Sequence, residues 1–178
     1  MFQTTNCHLQ PADGILMPSL RKYSSLAETF GNCFKYEVFK MTIELEETFT
    51  VGQNNFFEST SPLFPFGVTF EDDLTTGYFY AVNTIKDLQI LDALHIYNVS
   101  EISDKSKPCK IQFVWTDDGK IASLLINKYC HAIYDFDKQE SYSRNGFPKS
   151  NKDWSKNENR ILTDDIILIK LKDNMQSL

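Results

Sequence analysis

Three consecutive acids, Glu71, Asp72 and Asp73, lie in the stretch "FEDDLTTGYFYA" (70–81), closely followed by Tyr78 and Tyr80. Carboxylates beside a turn could ligate a cation, exchange protons, meet a partner's charge or simply hydrate a hairpin tip. Calcium loops space their acids so that alternate side chains converge on one ion. Neighbouring residues of a strand point instead to opposite faces. The spacing therefore argues against chelation, and neither a metal nor a cofactor is expected.

The other residues with chemical potential are two histidines. In "CHAIYDFD" (130–137), strand alternation places His131, Ile133, Asp135 and Asp137 on one face, with Cys130 on the other. Two pleat repeats put His131 and Asp135 roughly 13 Å apart along one strand, too far for a direct hydrogen bond. His95, in "ALHIYNV" (93–99), could reach His131 from a neighbouring strand. An acid–base enzyme, a small hydrolase or isomerase, would then use His131 or His95 with a carboxylate such as Asp135. No nucleophile elbow, phosphate-binding loop, dinucleotide fingerprint or zincin helix motif accompanies them. Four scattered cysteines form no CxxC pair. With no secretory signal pattern at the N-terminus, they read as reduced thiols of a cytoplasmic protein.

Charge is distributed more tellingly than its total of −6. Residues 41–104 hold eleven acids against Lys86 alone, a net of −10, whereas residues 105–178 carry thirteen bases and ten acids. An acidic field repels nucleic acid, whose binding requires cations that displace counterions. The stretch 138–160 does mix Lys138, Arg144, Lys149, Lys152, Lys156 and Arg160 with Tyr142, Phe147 and Trp154. Glu140, Asp153 and Glu158 dilute it, so it reads as a solvated excursion with Trp154 anchored in the core. No apolar run approaches the length needed to cross a membrane.

The elements that must position these residues are mostly strands. The 178 residues suit one domain, and 14 Phe with 8 Tyr favour strands and large buried contacts. Residues 1–40 read as an N-terminal extension with a helix near 19–30, capped by Ser19 and stopped by Gly31. The β-rich core occupies 41–178. "MTIELEETFTV" (41–51) alternates Met41, Ile43 and Leu45 against Thr42, Glu44 and Glu46, and "PFGVTFE" (65–71) pairs with "GYFYAV" (77–82). "LQILDAL" (88–94) fits strand or helix. Residues 110–137 form a three-stranded meander, turned by "DDG" at 117–119 and "NKY" at 127–129. A polar excursion over 138–164 contains a short helix near 152–159, and "DIILIKL" (165–171) closes the core as a strand. The expected fold is α+β: mainly antiparallel sheet, sandwich-like or half-barrel, with one or two helices.

Four stretches, "FEDDLTTGYFYA" (70–81), "ILDALHIYNV" (90–99), "VWTDDGKIASLLIN" (114–127) and "HAIYDFD" with the downstream "RNGFP" (131–148), carry a family resemblance. Together they resemble an uncharacterised bacterial family, domain of unknown function 2251. The resemblance implies a small bacterial, cytoplasmic domain and brings no assigned activity. Small acidic domains of this kind invite comparison with immunity proteins, which neutralise a cognate toxin. Concentrated acids steer a basic partner, and a few desolvated acids and aromatics hold it. The expected contacts are Asp72, Asp73, Tyr78 and Tyr80, with Asp87, Asp92, Glu101 and Asp104 as further acids. The alternatives are the histidine enzyme above and a β domain that holds a small ligand.

Overall fold

The computed structural model describes residues 41–86, 88–150 and 152–173. The helix expected over 19–30 lies outside them, as do Cys7, Cys33 and Asp87. Nine strands follow in order: β1 (Met41–Thr50), β2 (Asn55–Thr60), β3 (Phe66–Asp72), β4 (Thr76–Asn83), β5 (Gln89–Asn98), β6 (Pro108–Thr116), β7 (Ile121–Ile126), β8 (Tyr129–Asp135) and β9 (Glu140–Ser143). A short 3-10 turn, Val99–Glu101, follows β5, and one helix, α1 (Asp164–Asp173), follows β9. Sheet A has the order β1-β6-β7-β8-β9 and sheet B the order β2-β3-β4-β5, with every named pairing antiparallel.

The sheets face each other across an aromatic core. Phe70 and Phe79 from sheet B meet Phe49, Phe113, Trp115, Tyr134 and Phe136 from sheet A or just beyond its strands. Tilted and edge-to-face contacts recur, such as Phe79–Tyr134 at 5.2 Å and Phe49–Phe70 at 5.6 Å, each of a geometry that adds about 0.5–1.5 kcal/mol beyond burial. Two polar anchors cross the core. Tyr134 donates to the Phe79 carbonyl at 2.9 Å, and Trp115 Nε1 donates to Ser59 Oγ at 3.0 Å. Trp154 is buried against Tyr134 and Phe136, the anchoring expected of it.

The expected meander is present as β6-β7-β8, and "LQILDAL" resolves from Gln89 onward as part of β5. Gly119 takes a φ of +68° in the first turn; Asn127 and Lys128 take 51° and 67° in the second, as tight hairpins require. Two expectations fail. Residues 152–159 form no helix, and Lys152 has a φ of 67°, incompatible with a right-handed turn. "DIILIKL" is helical rather than extended. Thr163 caps it, its hydroxyl accepting from Ile166 N at 3.3 Å and its carbonyl from Ile167 N at 3.1 Å. Asp164 and Asp165 sit in the first turn, where the helix dipole favours negative charge. Of residues 164–170, Ile167 and Lys170, three residues apart, are the buried positions, while Leu168 and Ile169 face outward.

β-bulges explain why strict alternation misplaces two side chains. Between Ile43 and Leu45 the register slips by one, Ile43 opposing Val114 and Leu45 opposing Phe113. Ile43 therefore packs beneath α1 and Leu45 in the inter-sheet core, although period two puts them on one face.

Helix α1 covers the outer face of sheet A through a second apolar cluster that includes Val114, Leu125, Ile133, Leu162 and Ile167. Lys170 fastens it, donating to Asp135 at 2.6 Å and to Glu140. Burial pushes the ammonium down, but its two carboxylate hydrogen bonds prevail and hold it above its usual range. Burial likewise raises Glu140, yet the Lys170 contact and the Tyr142 hydroxyl hold it below its ordinary 4.5. Glu140 therefore contributes stability above pH 4.5, lost as pH falls through its depressed value. Lys170 contributes below pH 10.5, and that share goes only when pH rises past its raised value. We predict that Lys170→Met lowers unfolding free energy by about 3 kcal/mol in urea titrations, because it strands Asp135 as a buried charge. Adding Asp135→Asn should restore part of the loss; strictly additive losses would contradict the clamp.

Candidate binding surface

The three adjacent acids have three different fates. Asp72, with no exposed surface, turns inward. It accepts hydrogen bonds from Gly52 N at 2.7 Å, Leu74 N at 3.0 Å and Tyr97 Oη at 2.8 Å. The expectation that it meets a partner is thus corrected: it ties the β1–β2 turn and strand β5 to the hairpin. Asp73 is exposed at the tip. Its Oδ1 receives the amides of Thr75 and Thr76 at 2.9 and 2.7 Å and both their hydroxyls, which draw its carboxyl down to about 2. The Thr75 carbonyl then accepts Val99 N at 2.8 Å, bringing Glu101, exposed, to the same end of the sheet.

Glu71 points out of sheet B. The register aligns Phe56, Glu71, Tyr78 and His95 across its four strands, with Glu58, Thr69, Tyr80 and Ala93 as the next row. Tyr80 donates to Glu71 Oε2 at 3.3 Å; burial and that carboxylate raise the phenol to about 12. Tyr78 and Tyr80 run parallel at 5.9 Å, His95 meets Tyr78 edge-on at 5.3 Å, and Phe147 meets His95 edge-on at 5.8 Å. Phe56 is 61% exposed. Strands β2 to β5 contain no Lys or Arg. No described helix covers this face. Its chemistry is that of an acidic surface with aromatic contacts.

The remaining expected contacts scatter. Asp92 is buried in an ion pair with Arg160, whose guanidinium also reaches Ser141 Oγ at 2.9 Å and the Pro148 carbonyl at 2.7 Å. That corrects its assignment to a partner surface: it fastens β5 to the 144–162 excursion. Asp104 is half-buried and pairs with Lys107 at 3.1 Å. Of the expected set, Tyr78 and Tyr80 lie on the open face, and Asp73 and Glu101 at its end. Phe56, Glu58 and Phe147 were missed. The legible signal was the lack of any base from 55 to 98 apart from Lys86.

The histidines do not meet, since His95 belongs to sheet B and His131 to sheet A. His95 uses its ring nitrogens on Asn98 at 3.0 Å and Asn145 at 2.8 Å. Asp135 is occupied by Lys170 and the Lys138 amide. His131 is the extra residue of a bulge, Leu124 opposing Ala132 and Leu125 opposing Cys130. Cys130 and Ile133 consequently share the α1 side, contrary to simple alternation. Burial, then the charge of Arg144, pushes His131 down to about 3, and Nε2 has no hydrogen-bond partner. Burial also pushes the Cys130 thiol up to about 12.

A match to the family described as "Uncharacterized protein conserved in bacteria (DUF2251)" spans residues 49–169. The chain belongs to this family. It is also 38% identical over 122 residues to an "Uncharacterized protein" of Haemophilus influenzae, covering 65% of this chain and 76% of that relative. No solved structure matches. The DUF2251 match takes in the whole of sheet B, the excursion and most of α1, so the open face belongs to the family domain.

Two expected outcomes test these placements. Asp72→Ala should cost about 3 kcal/mol in denaturant titrations by stranding three donors, and Tyr97→Phe only about 1 kcal/mol. Equal losses would mean that the carboxylate is not the hub. Because His131 stays neutral when folded while the unfolded chain takes a proton, its share of stability falls as pH drops below 6.5 toward 3. Its imidazole resonances should show no titration through pH 6.5; a midpoint there would contradict the burial.

Proposed function

We propose that the protein is a non-catalytic, immunity-type binding protein that neutralises a cognate toxin through the outer face of sheet B. The observation that carries the reading is the asymmetry of the two sheets. Sheet A has its outer face sealed by α1, whereas sheet B presents Glu58, Glu71, Tyr78, Tyr80 and Phe56 without a Lys or Arg in its strands. A basic partner would be steered by the acids and held by aromatic contacts and a few desolvated pairs. Asp73 adds charge at the tip, but its carboxylate is engaged in shaping the turn. Glu71 and Glu58 are therefore the acids free to change pairing.

The test is affinity capture from the native host while the candidate toxin, often encoded immediately upstream, is expressed. A one-to-one complex is expected. Glu71→Lys with Glu58→Lys should slow association about tenfold at low salt and flatten its salt dependence. Failure to capture a partner under any expression condition, or an unchanged association rate in the double variant, counts against the reading.

A further inference from the structure

The sandwich treats its four edges differently. The edge of β5 is covered: His95 N donates to the Phe147 carbonyl at 2.9 Å, and Arg160 reaches the Ala93 carbonyl at 3.3 Å. The edge of β9 is covered by the same excursion, through a parallel bridge between Ser143 and Ile161 and through the Asn157 side chain on both main-chain groups of Ser141. The edge of β1 is bulged and lined by the exposed acids Glu44, Glu46 and Glu47, two common defences against stray pairing. β2 has neither a bulge nor a proline nor a covering segment among the described residues. Its register with β3 runs unbroken from Asn55 to Thr60.

The parity of that register decides which groups are free. Ser61 N donates to the Phe66 carbonyl at 2.8 Å, so in an antiparallel ladder the odd-numbered residues of β2 bond to β3. The N–H and C=O groups of Phe56, Glu58 and Thr60 then point to the open edge. Their side chains lie on the outer face, all three exposed. An added strand would gain main-chain hydrogen bonds there and set its own outward side chains beside Phe56, Glu58 and Thr60.

We propose that β2 is the docking edge for an extended, basic segment of the partner, which joins sheet B as a fifth strand. The proposal rests on the functional reading above and specifies how that face is engaged. Charge selects the occupant. Cations alternating along the added strand would lie beside Glu58 and near Glu71, and their stems and charges would meet the Phe56 ring. Its intervening apolar residues would extend the inner face beside Phe57, which already packs against the core. A second copy fits less well, because its β2 brings Glu58 and no base to the seam.

A short peptide of alternating Lys and Val is the probe, with isotope-labelled full-length protein. Binding should slow amide exchange at Phe56, Glu58 and Thr60 and leave β5 unchanged. N-methylation of alternate peptide amides, which removes donors but keeps the side chains, should weaken binding about tenfold or more. Glu58→Lys should weaken it comparably. Absence of binding, indifference to N-methylation, or protection at another edge overturns the proposal. Protection of the same amides without peptide, rising with protein concentration, would assign the edge to a second copy and also overturn it. If the peptide fails while capture of the native partner remains sensitive to Glu71→Lys, strand addition falls and the binding role stands; if both fail, both fall.

Discussion

β6 from Ile111 onward, together with all of β7 and β8, is buried on both faces, and the arrangement of the molecule follows from that constraint. A strand apolar on both sides needs a cover on each. Sheet B supplies one through the aromatic core and α1 the other through Ile167 and its neighbours. Sheet B carries apolar residues mainly on the face it turns inward, so only that face requires a partner within the chain. The opposite face is left to solvent, and its acids and tyrosines are the consequence. The surface proposed for binding is thus the side that the packing problem did not consume.

Buried charge does a different job from exposed charge here. The acid-rich stretch 41–104 looks uniform as a sequence, yet the fold divides it. Asp72 and Asp92 are internal: the first gathers two amides and a phenol, the second meets Arg160. Removing one member of such a set leaves a desolvated group behind, which costs far more than a surface pair contributes. Glu58 and Glu71 remain outside, where their field acts on whatever approaches. The excursion 138–164, rich in polar residues, is equally internal in purpose. Through Arg160, Asn157 and Trp154 it closes one side of the sandwich, and the opposite side, along β1 and β2, has no such cover among the described residues.

The sequence by itself determined most of the strands and the meander's turns, but neither β2 nor β9. Period-two alternation marked most of the strands, and the Asp-Gly and Asn-Lys turns marked the meander, because both signals depend on residues close together in the chain. Charge segregation and the family resemblance were legible for the same reason. Four stretches of local sequence were enough to identify the family, although not what the domain does.

Tertiary structure decided what depends on distant partners. Whether Asp72 faced water or the core rested on Gly52 and Tyr97, which are remote in sequence. "DIILIKL" reads as a strand; its helical outcome follows from the Thr163 cap and from burial of Lys170 against Asp135 and Glu140. The bulges at Glu44 and His131 shift which face a side chain occupies, and no local pattern announces them. Edge status is the clearest case. "NFFEST" is not among the strands legible in the sequence, and only the sheet order shows that one side of it is unpaired, since a free edge is defined by the strands that are not beside it.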